Sequence, residues 1–148
     1  MKVAILMGSP NDASKMAPAT EMLDRFGVEH VTEVMSAHRT PAAVASFATE
    51  ARDAGFAAVI CGAGMAAHLA GVVAAHTTLP VIGVPLSGGL ADGLDALLST
   101  VQMPKGIPVA TVAVNGSANA AVLVTEMLAV TDAELAARLD EFRAAGAR

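Results

Sequence analysis

Residues 3–12 read Val-Ala-Ile-Leu-Met-Gly-Ser-Pro-Asn-Asp, which is five apolar residues followed directly by small and polar ones. A short apolar run is typical of a buried strand, and the Gly-Ser-Pro after it is typical of a turn. Beyond the turn, apolar residues recur at helical spacing, at Met16, Ala19, Leu23 and Phe26. This stretch therefore predicts a strand, a loop and a helix in succession.

The same pattern recurs along the rest of the chain. The further apolar runs are residues 31–35, 57–61, 81–84 and 109–114, each followed by a helical pattern. Such alternation indicates a parallel sheet with helices on both faces. We place the second run at a sheet edge, because it contains Thr32 and Glu33 whereas central parallel strands are apolar on both faces. The sequence predicts one α/β domain over residues 1–148.

Helix boundaries are visible at several points. Thr40 followed by Pro41 predicts a capped helix start, and Gly55 predicts the end of that helix. Thr131 and Glu134 have the spacing of a capping box, which begins the last helix. The first helix contains Pro18, so we expect it to start late or to kink. The reason is that Pro18 lies where a helix that started at Asp12 would already need its backbone N–H, which proline lacks.

The composition is apolar but made of small side chains. Hydrophobic residues make up 54% of the 148, yet Phe supplies all 4 aromatic residues, and there are 33 Ala and 13 Gly. Small side chains bury little apolar area each, so we expect burial between subunits to add stability and the isolated monomer to be weakly stable. The expected contact is the apolar stripe of the last helix, Leu135, Leu139 and Phe142.

Charge and cysteine content exclude several classes of protein. A net charge of −5, without a basic cluster, Trp or Tyr, argues against a nucleic-acid partner. The apolar runs are far shorter than the ~18–20 residues of a membrane span. Met1-Lys2 leads into a strand rather than a signal peptide, so we expect a soluble cytoplasmic protein. The single cysteine, Cys61, predicts a buried filler. No metal or cofactor motif is present, so none is expected.

The loops that follow the predicted strands are small, polar or rich in glycine. They span residues 8–12, 36–41, 62–65, 85–89 and 115–117. Ligands of open parallel sheets lie at this edge, where backbone N–H groups can approach an anion. The loops could cradle a phosphorylated small molecule, although turns need Gly, Ser and Asn in any case.

Titratable side chains in these loops are candidates for anion binding and proton transfer. A guanidinium at Arg39 can bind a phosphate or carboxylate through its planar fork. An unperturbed imidazole has a pKa of about 6.5 and can give and take a proton near neutral pH, so His38 is a candidate acid and base. On spacing alone, the alternative is a His–Arg pair on a solvated loop. Asp12 is either a helix N-cap or an acceptor for substrate hydroxyls, and His68 is either functional or a helix-packing residue.

Four strings together resemble one known family. They are Met7-Gly8-Ser9 with Asp12, Ser36-Ala37-His38-Arg39-Thr40-Pro41, Gly62-Ala63-Gly64 with Ala66-Ala67-His68-Leu69, and Val101-Gln102-Met103-Pro104-Lys105-Gly106-Ile107-Pro108. In combination, and over nearly the whole chain, they resemble the PurE family of purine biosynthesis. The string around His68 resembles class I, the N5-carboxyaminoimidazole ribonucleotide mutases.

The resemblance implies a three-layer flavodoxin-like (Rossmann-like) fold with a five-stranded parallel sheet and a C-terminal helix. It implies that His38 is the catalytic acid and base, and that a ribonucleotide binds to Ser9, Asp12, Ser36, Arg39, Ala63, Gly64, His68 and Leu69. It also implies a homo-octamer with active sites near subunit contacts.

Two other functions stay open at this point. One is a class II enzyme, which carboxylates aminoimidazole ribonucleotide directly with CO2. The other is a non-catalytic nucleotide-sensing module on the same fold. The sequence also departs from the family pattern, since Met65 stands where Gly is expected and Ala70 where Pro is expected.

Overall fold

Five parallel strands form the centre of the structure, a computed structural model that describes residues 1–147. The strands are β1 (Lys2–Met7), β2 (Glu29–Val34), β3 (Phe56–Gly64), β4 (Val81–Leu86) and β5 (Ala110–Thr111). Their order across the sheet is β2-β1-β3-β4-β5. This is the flavodoxin-like order, so the predicted sheet is confirmed, as is the place of the second strand at an edge.

Helices cover both faces of the sheet. They are α1 (Ala13–Phe26), α2 (Pro41–Glu50), α3 (Leu69–His76), α4 (Leu94–Val101), α5 (Ser117–Ala129) and α6 (Ala133–Ala144). One apolar cluster joins the sheet to α1, α5 and α6, and a second joins it to α2 and α3. Within residues 1–147 no helix is both long and apolar enough to cross a membrane.

The alternation of side chains along β1 shows how one strand serves both layers. Val3, Ile5 and Met7 belong to the cluster under α1, whereas Ala4 and Leu6 belong to the cluster under α2. Successive side chains of a strand point to opposite faces, so a strand covered on both sides must be apolar throughout. This is why the central runs of the sequence are continuous rather than alternating.

The strands that differ most in length from the prediction are β3 and β5. Residues 62–64, expected in a loop, extend β3, because Gly62, Ala63 and Gly64 pair with residues of β4. The fifth strand is confined to Ala110–Thr111, although a run over 109–114 was expected. The consequence for the site is that β3 carries the chain to the edge of the sheet before the loop begins.

One helix end also needed correction. Thr40 occupies the N-cap position of α2, as predicted. The last residue of α2 is Glu50, and the turn after it stops at Gly55 as predicted, since Gly55 has a φ of +85° and the Phe56 N–H donates to the Ala51 carbonyl. The N-cap of α6 is Asp132 rather than Thr131, and its carboxylate accepts hydrogen bonds from two backbone N–H groups of the first turn. The error at α6 arises because Thr131 and Asp132 are both good N-cap residues, and only the backbone conformation selects one.

The first helix begins directly after a 3₁₀ turn at Pro10–Asp12 and continues through Pro18 to Phe26. The expected late start is therefore wrong. Pro18 cannot donate to the carbonyl of Ser14, so one hydrogen bond of the first turn is missing.

The apolar stripe of α6 is buried within the chain. Leu135, Leu139 and Phe142 are each less than a tenth exposed, and the ring of Phe142 packs edge to face on Phe26 with centroids 5.2 Å apart. The prediction that this stripe contacts another subunit is wrong, because α1 and α5 already cover it.

Candidate active site

A cavity of about 560 Å³ opens at the carboxyl ends of β1, β2 and β3. This is the point where the strand order reverses around β1, which is the usual ligand site of open α/β sheets. The lining includes all nine residues singled out from the sequence: Ser9, Asp12, Ser36, His38, Arg39, Ala63, Gly64, His68 and Leu69. Gly8, Ala37, Met65 and Ala66 also line the cavity; they lie in the predicted loops and family strings, although no binding role was assigned to them individually.

The fourth and fifth loops do not take part. Of the described residues, none in the ranges 85–89 and 115–117 lines the cavity. Ser87 and Asn115 instead hydrogen-bond to each other, through the Asn115 side chain. The expected five-loop rim is thus reduced to three loops in this chain.

The loop after β2 is folded around the hydroxyl of Ser36. Its Oγ accepts hydrogen bonds from the backbone N–H groups of His38, at 3.3 Å, and Arg39, at 3.2 Å. Thr40 closes the loop, because its hydroxyl accepts from the Ser36 N–H and donates to the Ser36 carbonyl. A hydroxyl has two acceptor lone pairs and one donor, so Ser36 Oγ still has its hydrogen to offer to an anion.

Arg39 links two of the three loops. Its Nη2 donates to the carbonyl oxygen of Gly8 at 2.8 Å, so the guanidinium lies across the mouth of the first loop. A guanidinium has five N–H donors in one plane, and one such bond leaves most of them for a ligand. Arg39 is exposed, which makes this end of the cavity a positively charged entrance.

His38 and His68 form a pair. His38 Nε2 and His68 Nδ1 are 2.7 Å apart, and the two rings meet edge to face with centroids separated by 4.8 Å. One nitrogen of this contact must carry a proton and the other a lone pair, so the two rings cannot both be fully protonated. The alternative in which His68 only packs its helix is wrong, because its ring is exposed and meets His38.

Asp12 stands at the N-cap position of α1, but its carboxylate makes no capping hydrogen bond. Burial raises the pKa of Asp12 above its ordinary value. The opposing influences on this pKa are the positive charge of Lys15, a hydrogen bond from the Ser9 backbone and the charge of Arg39, in that order. The carboxylate therefore remains available as an acceptor at the cavity wall.

The remaining wall is apolar or inert. Leu69 is buried, and Ala63 and Gly64 are half-buried at the end of β3. Cys61 lies within the core, where burial raises the pKa of its thiol and keeps it protonated, as expected for a filler. Among residues 1–147 no three His, Cys, Asp or Glu side chains are grouped to hold a metal ion.

Comparison with known proteins identifies the family. The model of the family described as AIR carboxylase matches residues 2–148. The chain belongs to the AIR carboxylase family. The resemblance read from the four sequence strings is thereby confirmed.

Individual relatives of the AIR carboxylase family match at high identity. The chain is 51% identical over 145 residues, 97% of its length and 90% of the relative's, to the N5-carboxyaminoimidazole ribonucleotide mutase of Vibrio vulnificus. It is 50% identical to the phosphoribosylaminoimidazole carboxylase of Schizosaccharomyces pombe, with 95% of this chain but 25% of that protein covered. The crystal structure of Treponema denticola PurE superimposes with a TM-score of 0.89 at 29% identity, covering 98% of this chain and 90% of that one.

Met65 and Ala70 depart from the AIR carboxylase pattern in different ways. Met65 has a φ of +55° and is 68% exposed at the cavity rim. This left-handed conformation costs a residue with a side chain about 1–2 kcal/mol, whereas glycine adopts it freely. Ala70 is the second residue of α3, where proline is tolerated but not required, so the helix begins normally without it.

Replacing Met65 with glycine should stabilise the protein. We expect Met65→Gly to raise the free energy of unfolding by about 0.5–1 kcal/mol, which is the relief of left-handed strain less the greater chain entropy of glycine. Urea unfolding at one fixed protein concentration measures it. The matched control is Ala137→Gly on the exposed face of α6, which should lose about 1 kcal/mol. A loss of similar size in Met65→Gly would contradict the strain argument.

Proposed function

We propose that this protein is an N5-carboxyaminoimidazole ribonucleotide mutase of de novo purine biosynthesis, acting as a single domain in the cytoplasm. The observation that carries the proposal is the high identity, over nearly the whole chain, to the Vibrio vulnificus mutase. The reaction moves a carboxylate from an exocyclic amine to a ring carbon of the aminoimidazole. It needs a proton donor that later accepts a proton, and a site that holds a ribonucleotide phosphate.

The geometry supports a binding mode for the ribonucleotide. Arg39 and the Ser36 hydroxyl hold the phosphate, since both have donors left over from their contacts within the protein. Asp12 and Ser9 bind the ribose, with the Asp12 carboxylate accepting bonds from its hydroxyls. The phosphate and the sugar lie far from the reacting atoms, and binding them positions the imidazole ring. This is how binding energy from remote parts of a substrate contributes to rate.

His38 is the proton-transfer group in this proposal. The N–C bond to the carboxylate breaks to release CO2, and the exocyclic nitrogen takes a proton from His38. The ring carbon then attacks the CO2, and the resulting C–H proton returns to His38, so the imidazole ends as it began. His68 supports both states, because its Nδ1 accepts a hydrogen bond from the His38 Nε2–H and leaves the other ring nitrogen of His38 to release the proton and take it back.

Substrate choice tests the function. Supplied with the carboxylated amine, the protein should form 4-carboxy-5-aminoimidazole ribonucleotide. Ultraviolet absorbance measures the rate of this reaction. Supplied with aminoimidazole ribonucleotide and bicarbonate, it should be much slower. The reverse preference would assign it to the class II carboxylases, an alternative that the name of the Schizosaccharomyces pombe relative keeps open. If the protein binds the ribonucleotide but converts neither substrate, the function is that of a nucleotide-sensing module.

His38→Asn separates binding from chemistry. The amide keeps a polar side chain of similar size but cannot carry the proton, so turnover should fall by at least about 10²-fold while ribonucleotide affinity stays within about tenfold. Turnover is measured by absorbance and affinity by calorimetry. His76→Asn, at the exposed end of α3, is the matched control and should be unchanged. Near-normal turnover in His38→Asn would remove His38 from the mechanism.

The cavity of a single chain is open to water. His38, Arg39 and His68 are all exposed, yet released CO2 must not escape before the ring carbon attacks it. An apolar surface lies nearby, which we call the α4 stripe: Leu90, Leu94, Leu98 and Val101, between 44% and 75% exposed. It approaches the rim where the Ser99 hydroxyl reaches the Met65 carbonyl.

We propose that copies of this chain assemble through the α4 stripe, as a homo-octamer with its sites near subunit contacts. A contiguous exposed apolar stripe marks an interaction surface, and a second copy would cover it and the cavity rim together. This gives the oligomer a different contact from the α6 stripe, which the fold buries.

Two acidic substitutions test the α4 stripe. Leu94→Glu with Leu98→Glu should break the assembly into smaller species, because burying unpaired carboxylates costs several kcal/mol. Size-exclusion chromatography with light scattering gives the mass. Val130→Glu, on a residue that is 83% exposed between α5 and α6, is the control and should leave the mass unchanged. A double variant with the wild-type mass, or a wild-type protein that is a stable monomer at low concentration, would overturn the proposal.

A further inference from the structure

A set of hydrogen bonds ties the first turn of α1 to the fourth and fifth loops. Lys15 Nζ donates to the Ser87 carbonyl at 2.6 Å, and the Asn115 side chain bonds both the N–H and the hydroxyl of Ser87. Two residues further on, the Ser117 hydroxyl donates to the Lys15 carbonyl at 2.7 Å. We call Lys15, Ser87, Asn115 and Ser117 the polar brace.

The polar brace connects parts of the chain that are far apart in sequence. Its bonds join residues 28 to 102 positions apart, so they connect the ends of three strands rather than one local turn. Ser117 is fully buried, and Asn115 has a φ of +59°, a conformation that asparagine tolerates better than most residues. Hydrogen bonds to a charged donor such as an ammonium are stronger than those between neutral groups.

The brace compensates for a weak point of α1. Pro18 removes the hydrogen bond that would join the second turn to Ser14, so the first turn is less firmly held by its own helix. The brace grips that turn from outside, through both the side chain and the carbonyl of Lys15. The same turn begins at Asp12, whose carboxylate lines the cavity without a capping bond.

We propose that Lys15 is a positioning residue for Asp12: through the polar brace it fixes the first turn of α1, and with it the Asp12 carboxylate that accepts hydrogen bonds from a ribose. Lys15 does not line the cavity itself. The fourth and fifth loops thereby gain a function at the site, although none of their residues reaches the cavity. The inference rests on the proposed ribonucleotide substrate.

The charges around Asp12 support this assignment. Burial raises the pKa of Asp12, and Lys15 is the largest influence that opposes the rise. From the other elements, the Ser9 backbone bond and the Arg39 guanidinium oppose it less strongly. Without the ammonium of Lys15 the pKa of Asp12 must rise further, so the acceptor would be lost at a higher pH as the solution is acidified.

The test is the pH profile of kcat/KM in four variants. Lys15→Gln keeps a donor for Ser87 but removes the charge, and it should raise KM by about tenfold with little change in kcat. The acid limb of its kcat/KM profile should move to higher pH. Lys15→Arg keeps the charge and should restore both KM and the wild-type limb. Lys105→Gln, at an exposed lysine before β5, is the control and should match the wild type.

Asn115→Ala separates the two halves of the proposal. It leaves every charge in place, so the acid limb should stay where it is while KM rises through the loosened turn. A wild-type KM in Asn115→Ala overturns the brace even if Lys15→Gln does not fold. If a folded Lys15→Gln variant has the KM of the wild type and an unchanged acid limb of the kcat/KM profile, the inference as a whole is overturned. Absence of turnover in the wild-type protein would instead overturn the proposed function. The substrate's own titration affects every pH profile alike, so it does not change the difference between the variants and the wild type.

Discussion

Backbone hydrogen bonds at the carboxyl end of β1 hold the whole site together. The Gly8 N–H donates to the Gly62 carbonyl at 3.2 Å, and the Met35 N–H donates to the Met7 carbonyl at 3.0 Å. The ladders of β1 with β3 and with β2 therefore continue to the points where the three loops depart. Because parallel strands are about 4.8 Å apart, loops that leave them in register must meet. The Asp12 carboxylate, the His38–Arg39 pair and the His68 imidazole follow three different strands, and these backbone bonds bring their loops to one cavity.

The close approach of α1 to the sheet depends on small residues. A side chain at Gly62 would meet the Met16 sulfur, and one at Gly83 would meet Thr100 of α4. Glycines and alanines at such points let the helices lie near the strands, although each buries little area of its own. The composition is thus explained in part within the chain, and the α4 stripe, left exposed, is where assembly between copies would supply the rest.

The site was more predictable than the elements around it. His38 and Arg39 adjoin in sequence directly after a strand, so their place at the rim follows from the parallel topology alone. Whether Gly62 began a loop or continued a strand could not be read from the sequence, because glycine suits both and the pairing with β4 decides. The caps were ambiguous for a similar reason. Thr131 and Asp132 are both good N-cap residues, and only the backbone conformation assigns the role to Asp132.

By itself the sequence determined the α/β class, the five strands, the edge position of β2 and the place of the His38–Arg39 loop at a strand end. These follow from local order, since apolar runs, turn residues and strand ends are properties of neighbouring residues, whereas the roles of the other cavity residues came from the family resemblance. Only the tertiary structure decided that His38 meets His68, that α6 hides its apolar stripe and that Lys15 is bound to Ser87. The two hydrogen bonds join residues 30 or more positions apart, and the burial of α6 depends on two layers that pack together. Such contacts are set by how the elements pack, which no local sequence pattern records.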